Sequence, residues 1–249
     1  MRVILNILTH GNETIGFAVA KEIKKLKITK GELVIHIANK LAHAKKKRFI
    51  DDDLNRSFPG NKKGNHEQRL AAVIYPLIKS ADVVIDIHST KSNLRDAVIV
   101  TKLNKKTKEC IKAIGPKYLL WMRVTKGNAL ISGAKIGIAF EYGKNNDKRV
   151  LQNTVRDIKK LLSYLKMIQE KTKTHPVNTI CLDVHKSVSK EKGAKLLPKI
   201  KNYKLIKAGS PYASLNGELI CAIDDFYPVL FGGSSYKDIF GFAARPMKN

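Results

Sequence analysis

Cysteine, acidic residues and long apolar runs are all scarce in this chain of 249 residues. Its 3 cysteines are widely spaced and form no Cys-x-x-Cys pair. This excludes a disulfide scaffold and a cysteine zinc knuckle, and it fits a reducing compartment. No apolar run approaches the ~18 residues of a membrane span, and the first residues lead into a predicted strand rather than a signal peptide. We therefore expect a water-soluble, cytoplasmic protein with no membrane partner.

The shortage of acidic residues leaves a large positive charge, since 47 Lys+Arg against 21 Asp+Glu give +26. Such a charge first suggests a nucleic-acid partner. Most lysines, however, are scattered along predicted helices, and only Lys45–Arg48 forms a compact run. No helix-turn-helix pattern or aromatic RNA-binding motif accompanies them. Nucleic acid is therefore not the expected main partner, and the charge is as compatible with a lysine-rich proteome or a hot habitat.

The chain has enough apolar residues for a core, 43% of the total, arranged as strands that alternate with helices. The apolar runs and helical spacings predict strands near Val3–Leu8, Leu33–Ala38, Asp82–Ile87, Ala97–Thr101 and Ile136–Phe140, and helices near 13–27, Glu67–Ile78, 105–114 and 147–168. This alternation predicts an α/β fold with a mixed, largely parallel sheet covered by helices on both faces.

The pattern changes near Thr172–Pro176, where short β-like runs replace the alternation. These runs are Ile180–Val184, Leu219–Ile223 and Tyr227–Phe231, and Asn216-Gly217 is a typical hairpin turn. The sequence therefore predicts one domain over residues 1–172 and a small β-rich C-terminal domain over residues 175–249.

Polar residues follow several predicted strands, at the sheet edge where α/β proteins bind ligands. His10 and Glu13 follow the first strand, His88 follows the third, and Glu141 ends a later one. Two histidines and a carboxylate are a ligand set of catalytic zinc, although a His-x-x-Glu pair alone is more often a surface feature. Asp86 lies two residues before His88, where it either fixes a histidine tautomer or is an exposed acid.

The segment Arg48–Arg56 places three acids between two arginines. The arginine fork suits a substrate carboxylate or a developing oxyanion. A charged loop whose side chains pair among themselves is an equally good interpretation. The other histidines, including His36, are predicted to be structural or surface residues.

Together these segments resemble the aspartoacylase and succinylglutamate desuccinylase family, zinc-dependent amidohydrolases related to the zinc carboxypeptidases. The matching pieces are Thr9–Glu13, Arg48–Arg56, Asp86–Thr90 with Ser92 and Asn93, Ser132, Ala134, Lys135, Glu141–Gly143, Tyr227–Val229 and Tyr236. The resemblance covers nearly the whole chain, and it implies a zinc-carboxypeptidase-like fold whose C-terminal domain narrows the site entrance.

The resemblance also implies a role for each polar residue at the strand ends. His10, Glu13 and His88 would bind one Zn²⁺ per chain. Glu141 would activate the metal-bound water as general base, and Arg48 would polarise the scissile carbonyl and stabilise the oxyanion.

Substrate binding is where the chain both follows and departs from the family. Asn55 and Arg56 would hold a substrate carboxylate, and Tyr236 would contact the substrate from the C-terminal domain. Gly127 and Ile131, however, stand where an aspartoacylase carries the Tyr and Arg that grip the aspartyl group. Hydrolysis is therefore expected, whereas these two positions do not support N-acetylaspartate as the substrate, and the amino acid stays open.

The sequence predicts a zinc-dependent deacylase that cleaves the amide of a small anionic N-acyl amino acid through a metal-activated water. Two alternatives stay open: a metallopeptidase acting on short peptides, and a non-catalytic anion- or nucleic-acid-binding protein on the same fold. A homodimer is compatible with the sequence, which does not fix the oligomeric state.

Overall fold

The computed structural model describes residues 1–90, 96–125, 127–170, 178–232 and 236–247. Within them the strands are β1 (Arg2–Ile7), β2 (Glu32–Ile37), β3 (Val83–His88), β4 (Ala97–Val100), β5 (Tyr118–Met122), β6 (Ile136–Glu141), β7 (Ile180–Ser189), β8 (Lys195–Leu196), β9 (Pro211–Leu215), β10 (Glu218–Cys221), β11 (Tyr227–Val229) and β12 (Ile239–Pro246). The α-helices are α1 (Ile15–Ile23), α2 (Lys40–Ala44), α3 (His66–Ser80), α4 (Lys105–Ile114) and α5 (Lys148–Tyr164). Short 3₁₀ helices span Leu54–Arg56, Arg123–Thr125 and Leu130–Gly133.

The main sheet has 9 strands in the order β11-β12-β7-β5-β4-β6-β3-β1-β2. Strands β1, β2, β3 and β6 form a parallel block, and β4, β5 and β7 form a second one. The two blocks meet at the antiparallel pair β4–β6, and β11 and β12 are antiparallel at the edge. The predicted fold class, a mixed and largely parallel sheet, is confirmed.

Helices cover both faces of this sheet because successive strand residues point to opposite sides. In β1, Val3, Leu5 and Ile7 pack in the core beneath α1, α4 and α5. Ile4 of the same strand points the other way, into the core beneath α3. The sheet is therefore buried on both faces, as its nearly continuous apolar strands require.

The C-terminal part of the chain contributes to two sheets. Strands β7, β12 and β11 extend the main sheet, whereas β8, β9 and β10 form a separate antiparallel sheet with its own aromatic core. The antiparallel β region that the sequence predicts is present. The predicted domain boundary at residues 172–175 lies outside the described residues and stays a prediction.

Local sequence signals account for the helix ends next to the candidate site. Asn65 and Gln68 form a reciprocal capping box at the start of α3. Asp147 caps α5 through its side chain, and Gly115 ends α4 in a left-handed conformation at φ 62°. Among the described residues, no helix is both long enough and apolar enough to cross a membrane.

Candidate metal centre and active site

Three buried side chains converge at the carboxyl ends of β1 and β3. His10 and Glu13 lie in the turn between β1 and α1, and His88 ends β3. Glu13 Oε1 lies 2.8 Å from His10 Nδ1, and Glu13 Oε2 lies 3.0 Å from His88 Nδ1. The structure therefore brings together the three residues that the sequence predicts as metal ligands.

Each histidine also contacts a second carboxylate through its other ring nitrogen. His10 Nε2 lies 3.0 Å from Asp53 Oδ1, and His88 Nε2 lies 2.8 Å from Asp86 Oδ2. In both rings Nδ1 faces Glu13 and Nε2 faces a second carboxylate. A metal ion held beside Glu13 would take the place of the two Nδ1 protons, and each Nε2 would keep its proton and donate it to Asp53 or Asp86. The sequence leaves two interpretations of Asp86, a carboxylate that fixes a histidine tautomer and an exposed acid. The contact with His88 Nε2 fits the first.

The neighbouring charges oppose the effect of burial on these pKa values. Burial disfavours the charged imidazole, but Glu13 and Asp53 raise the pKa of His10 above its usual range. For His88 the carboxylates of Asp86 and Glu13 overcome burial in the same way and raise the pKa further. Burial would raise the pKa of Glu13, and the two histidines lower it instead. The cluster thus favours an ionised carboxylate that can accept a cation.

The donor set fits a zinc ion. One ligand atom from each of His10, Glu13 and His88 lies within 4.8 Å of the other two. Imidazole nitrogens and a carboxylate oxygen are the ligands of catalytic zinc sites. The outer contacts fit as well, because zinc-ligating histidines usually donate their second N–H to a carboxylate. Asp53 and Asp86 provide that contact here.

Glu141 ends β6 directly beside His88, its register partner on β3. It lines the same cavity as His10 and His88, and its Oε2 is buried without a hydrogen-bond partner among the described residues. Removal from water raises the pKa of Glu141 to about 7, with Glu13 adding to the shift and His88 opposing it. A carboxylate with such a pKa can take up and release a proton near neutral pH.

Arg48 reaches the cluster from the loop that precedes Asp53. Its Nη1 donates to Glu13 Oε1 at 3.1 Å, and its Nη2 donates to Asp53 Oδ2 at 3.3 Å. Nη2 also lies 2.8 Å from His10 Nε2. Both nitrogens carry protons when His10 donates to Asp53, so we interpret this approach as a close contact and not as a hydrogen bond. The two carboxylates hold the guanidinium beside the candidate metal position.

The other predicted substrate-binding residues line the same cavity, but each of them already contacts other residues of the protein. Arg56 is ion-paired with Asp53, and its guanidinium carbon lies 5.1 Å from the centre of the Tyr236 ring. Asn55 Oδ1 accepts a hydrogen bond of 2.9 Å from the Leu130 amide. Asn55 therefore also holds the 3₁₀ helix that begins at Leu130, and Ile131 of this helix lines the cavity.

The rest of the cavity lining is largely apolar. The cavity has a volume of about 60 Å³, and its nonpolar lining consists of Ile99, Met122, Ala129, Ile131, Ala139, Leu230 and Phe242. Its cationic lining among the described residues is Arg48 and Arg56, and both are already paired with Asp53. This apolar lining therefore suits an uncharged substrate group.

A buried glutamate anchors the loop that carries Arg48, and the sequence interpretation does not single it out. Glu67, in the first turn of α3, is 0% exposed and accepts from the consecutive amides of Ile50, Asp51 and Asp52 at 2.7, 2.9 and 3.1 Å. Asp53 also goes unassigned at the sequence level, although it is one of the three acids in that segment. Ser92 and Asn93 of the resemblance lie outside the described residues.

The fold and the site define a class of protein, an α/β fold with a mixed, largely parallel sheet and a His–Glu–His cluster at the strand ends. A family model, described as the succinylglutamate desuccinylase/aspartoacylase catalytic domain, matches residues 2–168. The chain belongs to the succinylglutamate desuccinylase/aspartoacylase family.

Individual relatives are distant but similar over most of their length. An N-acyl-aromatic-L-amino acid amidohydrolase (carboxylate-forming) of Xenopus tropicalis is 26% identical over 92% of this chain and 87% of its own length. A probable aspartoacylase of Acaryochloris marina is 25% identical, with 72% of this chain and 69% of that protein covered. The crystal structure of murine aminoacylase 3 has a TM-score of 0.82 at 18% identity, covering 99% of this chain and 95% of that one. These likenesses agree with the fold described above.

Proposed function

We propose that the protein is a zinc-dependent hydrolase that removes the acyl group from a small N-acyl amino acid. The observation that carries the proposal is the buried His10–Glu13–His88 cluster with Glu141 beside it in one cavity. Family membership and the names of its amidohydrolase relatives support N-acyl amino acids as the substrate class. When bound by these three side chains, Zn²⁺ would act as a Lewis acid that acidifies water and polarises an amide carbonyl.

Glu141 is the proposed general base and later the general acid. Its pKa of about 7 suits both roles, since it can accept a proton from the attacking water and return it to the leaving amine. Its unpartnered Oε2 faces no competing donor among the described residues. The residue therefore has the proton affinity and the location that the step requires.

Arg48 is the proposed stabiliser of the oxyanion that forms when water attacks the carbonyl carbon. Its guanidinium is held beside the cluster by Glu13 and Asp53, so little reorganisation is needed when charge develops. Asn55 and Arg56 would bind the substrate carboxylate, and Tyr236 would pack on the substrate beside Arg56.

The cavity further favours substrates whose amino acid has an apolar side chain. Ile131, Met122 and Phe242 form a wall with no cation to pair with a second substrate carboxylate among the described lining residues. The Xenopus relative is named for N-acyl-aromatic amino acids, which agrees with such a wall. The narrow cavity favours a small substrate over a peptide, so the metallopeptidase alternative ranks second.

The proposal is tested by loading the protein with Zn²⁺ and assaying a panel of N-acetyl amino acids. We expect hydrolysis of N-acetylphenylalanine or N-acetylleucine to exceed that of N-acetylaspartate. His10→Ala should lose both zinc and activity, whereas His185→Ala, an exposed histidine outside the cavity, should retain both. A wild-type protein that binds no zinc under metal-replete conditions would contradict the proposal.

A further inference from the structure

A row of polar side chains crosses three neighbouring strands beside the candidate metal centre. Asn6 of β1 pairs in register with His36 of β2 on one side and with Asp86 of β3 on the other. Side chains at matching positions of parallel strands lie on one face, which here is the face of Ile4, covered by α3. His88, two residues after Asp86, lies on the same face.

These side chains form a continuous hydrogen-bond chain. Asn6 Nδ2 lies 2.8 Å from both Asp86 Oδ1 and Thr9 Oγ1, and Asn6 Oδ1 lies 2.6 Å from His36 Nδ1. Thr9 Oγ1 donates to Asp86 Oδ1 at 2.7 Å, and His88 Nε2 donates to Asp86 Oδ2 at 2.8 Å. Asn6, Thr9 and Asp86 are all 0% exposed. A buried polar network of this kind is costly unless each member is satisfied.

The chemistry of the partners fixes the direction of every bond. The ionised Asp86 carboxylate only accepts, so the Asn6 atom that faces it must be the NH₂ group. The Asn6 carbonyl oxygen then faces His36, whose Nδ1 must carry a proton to donate to it. His36 thus holds the Asn6 amide in this orientation from its other side, and Asn6 together with Thr9 occupies Asp86 Oδ1. Asp86 Oδ2 is left to accept from His88.

We propose that Asn6 and His36 are positioning residues, which hold Asp86 and through it the His88 ring in the orientation that presents Nδ1 to a metal ion. An apolar residue at position 6 would match its buried neighbour Ile4, so the polar side chain serves the network and not the packing. The inference deepens the proposed function and rests on it for the identity of the metal. Partners beyond the ligand shell commonly change metal affinity 10–100-fold.

The test measures Zn²⁺ affinity by competition with a chromophoric chelator, and the His88 ring N–H proton by NMR with and without Zn²⁺. Asn6→Leu, which keeps the branching at Cγ and removes the donor, should weaken zinc binding by about tenfold or more. It should also speed solvent exchange of the His88 Nε2 proton. Asn153→Leu is the matched control, since Asn153 donates to the carboxylate of Asp96 from α5, on the other face of the sheet. It should change neither measurement.

Substitution of His36 distinguishes the loss of its hydrogen bond to Asn6 from a loss of core packing, because this side chain is only half-buried. His36→Leu should weaken zinc binding several-fold, and His36→Gln, which can still donate to Asn6 Oδ1, should restore most of it. If Asn6→Leu does not fold, the His36 pair decides the question alone. Unchanged affinity and ring-proton exchange in the folded variants, or equal losses in Asn153→Leu, would overturn the inference. The ring-proton measurement needs neither zinc nor activity, so a failure of the proposed function is seen separately.

Discussion

At the scale of single residues, carboxylates organise the candidate site. Glu13 contacts both histidines, Asp53 and Asp86 each hold one ring from behind, and Glu141 alone keeps a buried oxygen unpartnered among the described residues. The paired acids have their pKa values lowered, and the unpaired one has its pKa raised. Their different partners are the basis for the different roles proposed for them: metal ligand for Glu13, orienting groups for Asp53 and Asp86, and proton carrier for Glu141.

Replacement of Glu141 by glutamine tests its role as the proton carrier. Glu141→Gln preserves shape and hydrogen-bonding capacity but removes the basic oxygen, so kcat should fall by about 10²–10⁴. Zinc content should be unchanged, because Glu141 is not one of the proposed ligands. Steady-state kinetics and metal analysis check both statements, with the exposed Glu218→Gln as control. A kcat within about tenfold of wild type would rule out general-base catalysis by this residue.

At the scale of elements, α3 anchors the loop that carries the proposed substrate-binding residues. The Glu67 carboxylate accepts from three consecutive amides of that loop, and from Asn39 Nδ2 at 3.0 Å. Glu67→Gln leaves at least one buried amide without an acceptor, so the free energy of unfolding should fall by about 1–3 kcal/mol. KM should rise because the loop also presents Arg48 and Arg56.

Urea unfolding and steady-state kinetics measure these two effects of the Glu67 substitution. Glu22→Gln, at a partly exposed site on α1 whose acid pairs with Lys25, is the control and should alter neither quantity measurably. Stability and KM equal to wild type in Glu67→Gln would show that the loop holds its shape without this anchor.

Helix α5 carries a buried ionic cluster whose stability depends on pH. Tyr142 Oη donates to Asp157 Oδ2 at 2.9 Å, and burial together with this carboxylate raises the pKa of Tyr142 well above its usual value. A raised folded-state pKa contributes stability that is complete below the unfolded value of about 10 and is lost as the pH rises beyond it. Tyr142→Phe removes that contribution.

Tyr142→Phe should therefore lower the free energy of unfolding by about 1.5–3 kcal/mol at pH 8, the range for a hydrogen bond to a charged group. The difference in the free energy of unfolding between this variant and the wild type should shrink as the pH rises above about 10. The tyrosine hydroxyl then loses its proton in the unfolded wild type, so folding of the wild type must restore that proton, whereas phenylalanine has none. Urea unfolding at pH 8 and pH 11 measures the two differences, with Tyr164→Phe as the exposed control. A deficit that is independent of pH would contradict the assignment.

The elements that sequence patterns predict are those with local signals. β1, β2, β3, β4 and β6 and the helices α1, α3, α4 and α5 appear within a few residues of the predicted positions, whereas the short helix α2 is not predicted. The sequence does not predict β5, because a five-residue apolar run does not distinguish strand from helix. The pairing of β7 with β5 joins residues about 60 positions apart in register, which no local pattern encodes.

The candidate site, like the fold, can be predicted from the sequence only in part. The predicted ligands, His10, Glu13 and His88, converge because strand ends of a parallel block meet at one edge of the sheet. The sequence predicts His36 to be a structural or surface residue and predicts no role for Asn6, because the contact between them follows from cross-strand register. A polar residue inside the apolar run of β1 was a visible signal for Asn6, but its partners depend on strand order.

At the scale of the whole molecule, zinc should stabilise the fold, because the ligands come from two separate segments joined only by folding. A ligand at 100–1,000 times its Kd adds about 2.7–4.1 kcal/mol to the free energy of unfolding. For a chain of this size each kcal/mol moves Tm by about 2–4 °C, so chelation should lower Tm by about 5–16 °C. Thermal scans with zinc and with a chelator measure the shift, and His10→Ala should show almost none.

The net charge of +26 should act on the rate of substrate encounter. An anionic N-acyl amino acid is drawn towards a positive field, and salt screens that field over about 10 Å at 0.1 M and about 3 Å at 1 M. kcat/KM should therefore fall by about tenfold as ionic strength rises from about 10 mM to 1 M, while kcat stays nearly constant.

The exposed lysines Lys45–Lys47 precede Arg48 directly, so their replacement by glutamine should reduce this salt dependence. Replacing Lys105, Lys106 and Lys108 on α4 removes the same charge on the opposite face of the sheet and should reduce it less. Equal effects of the two triple variants would mean that net charge alone acts, and a kcat that falls with salt would place the effect in the chemical step.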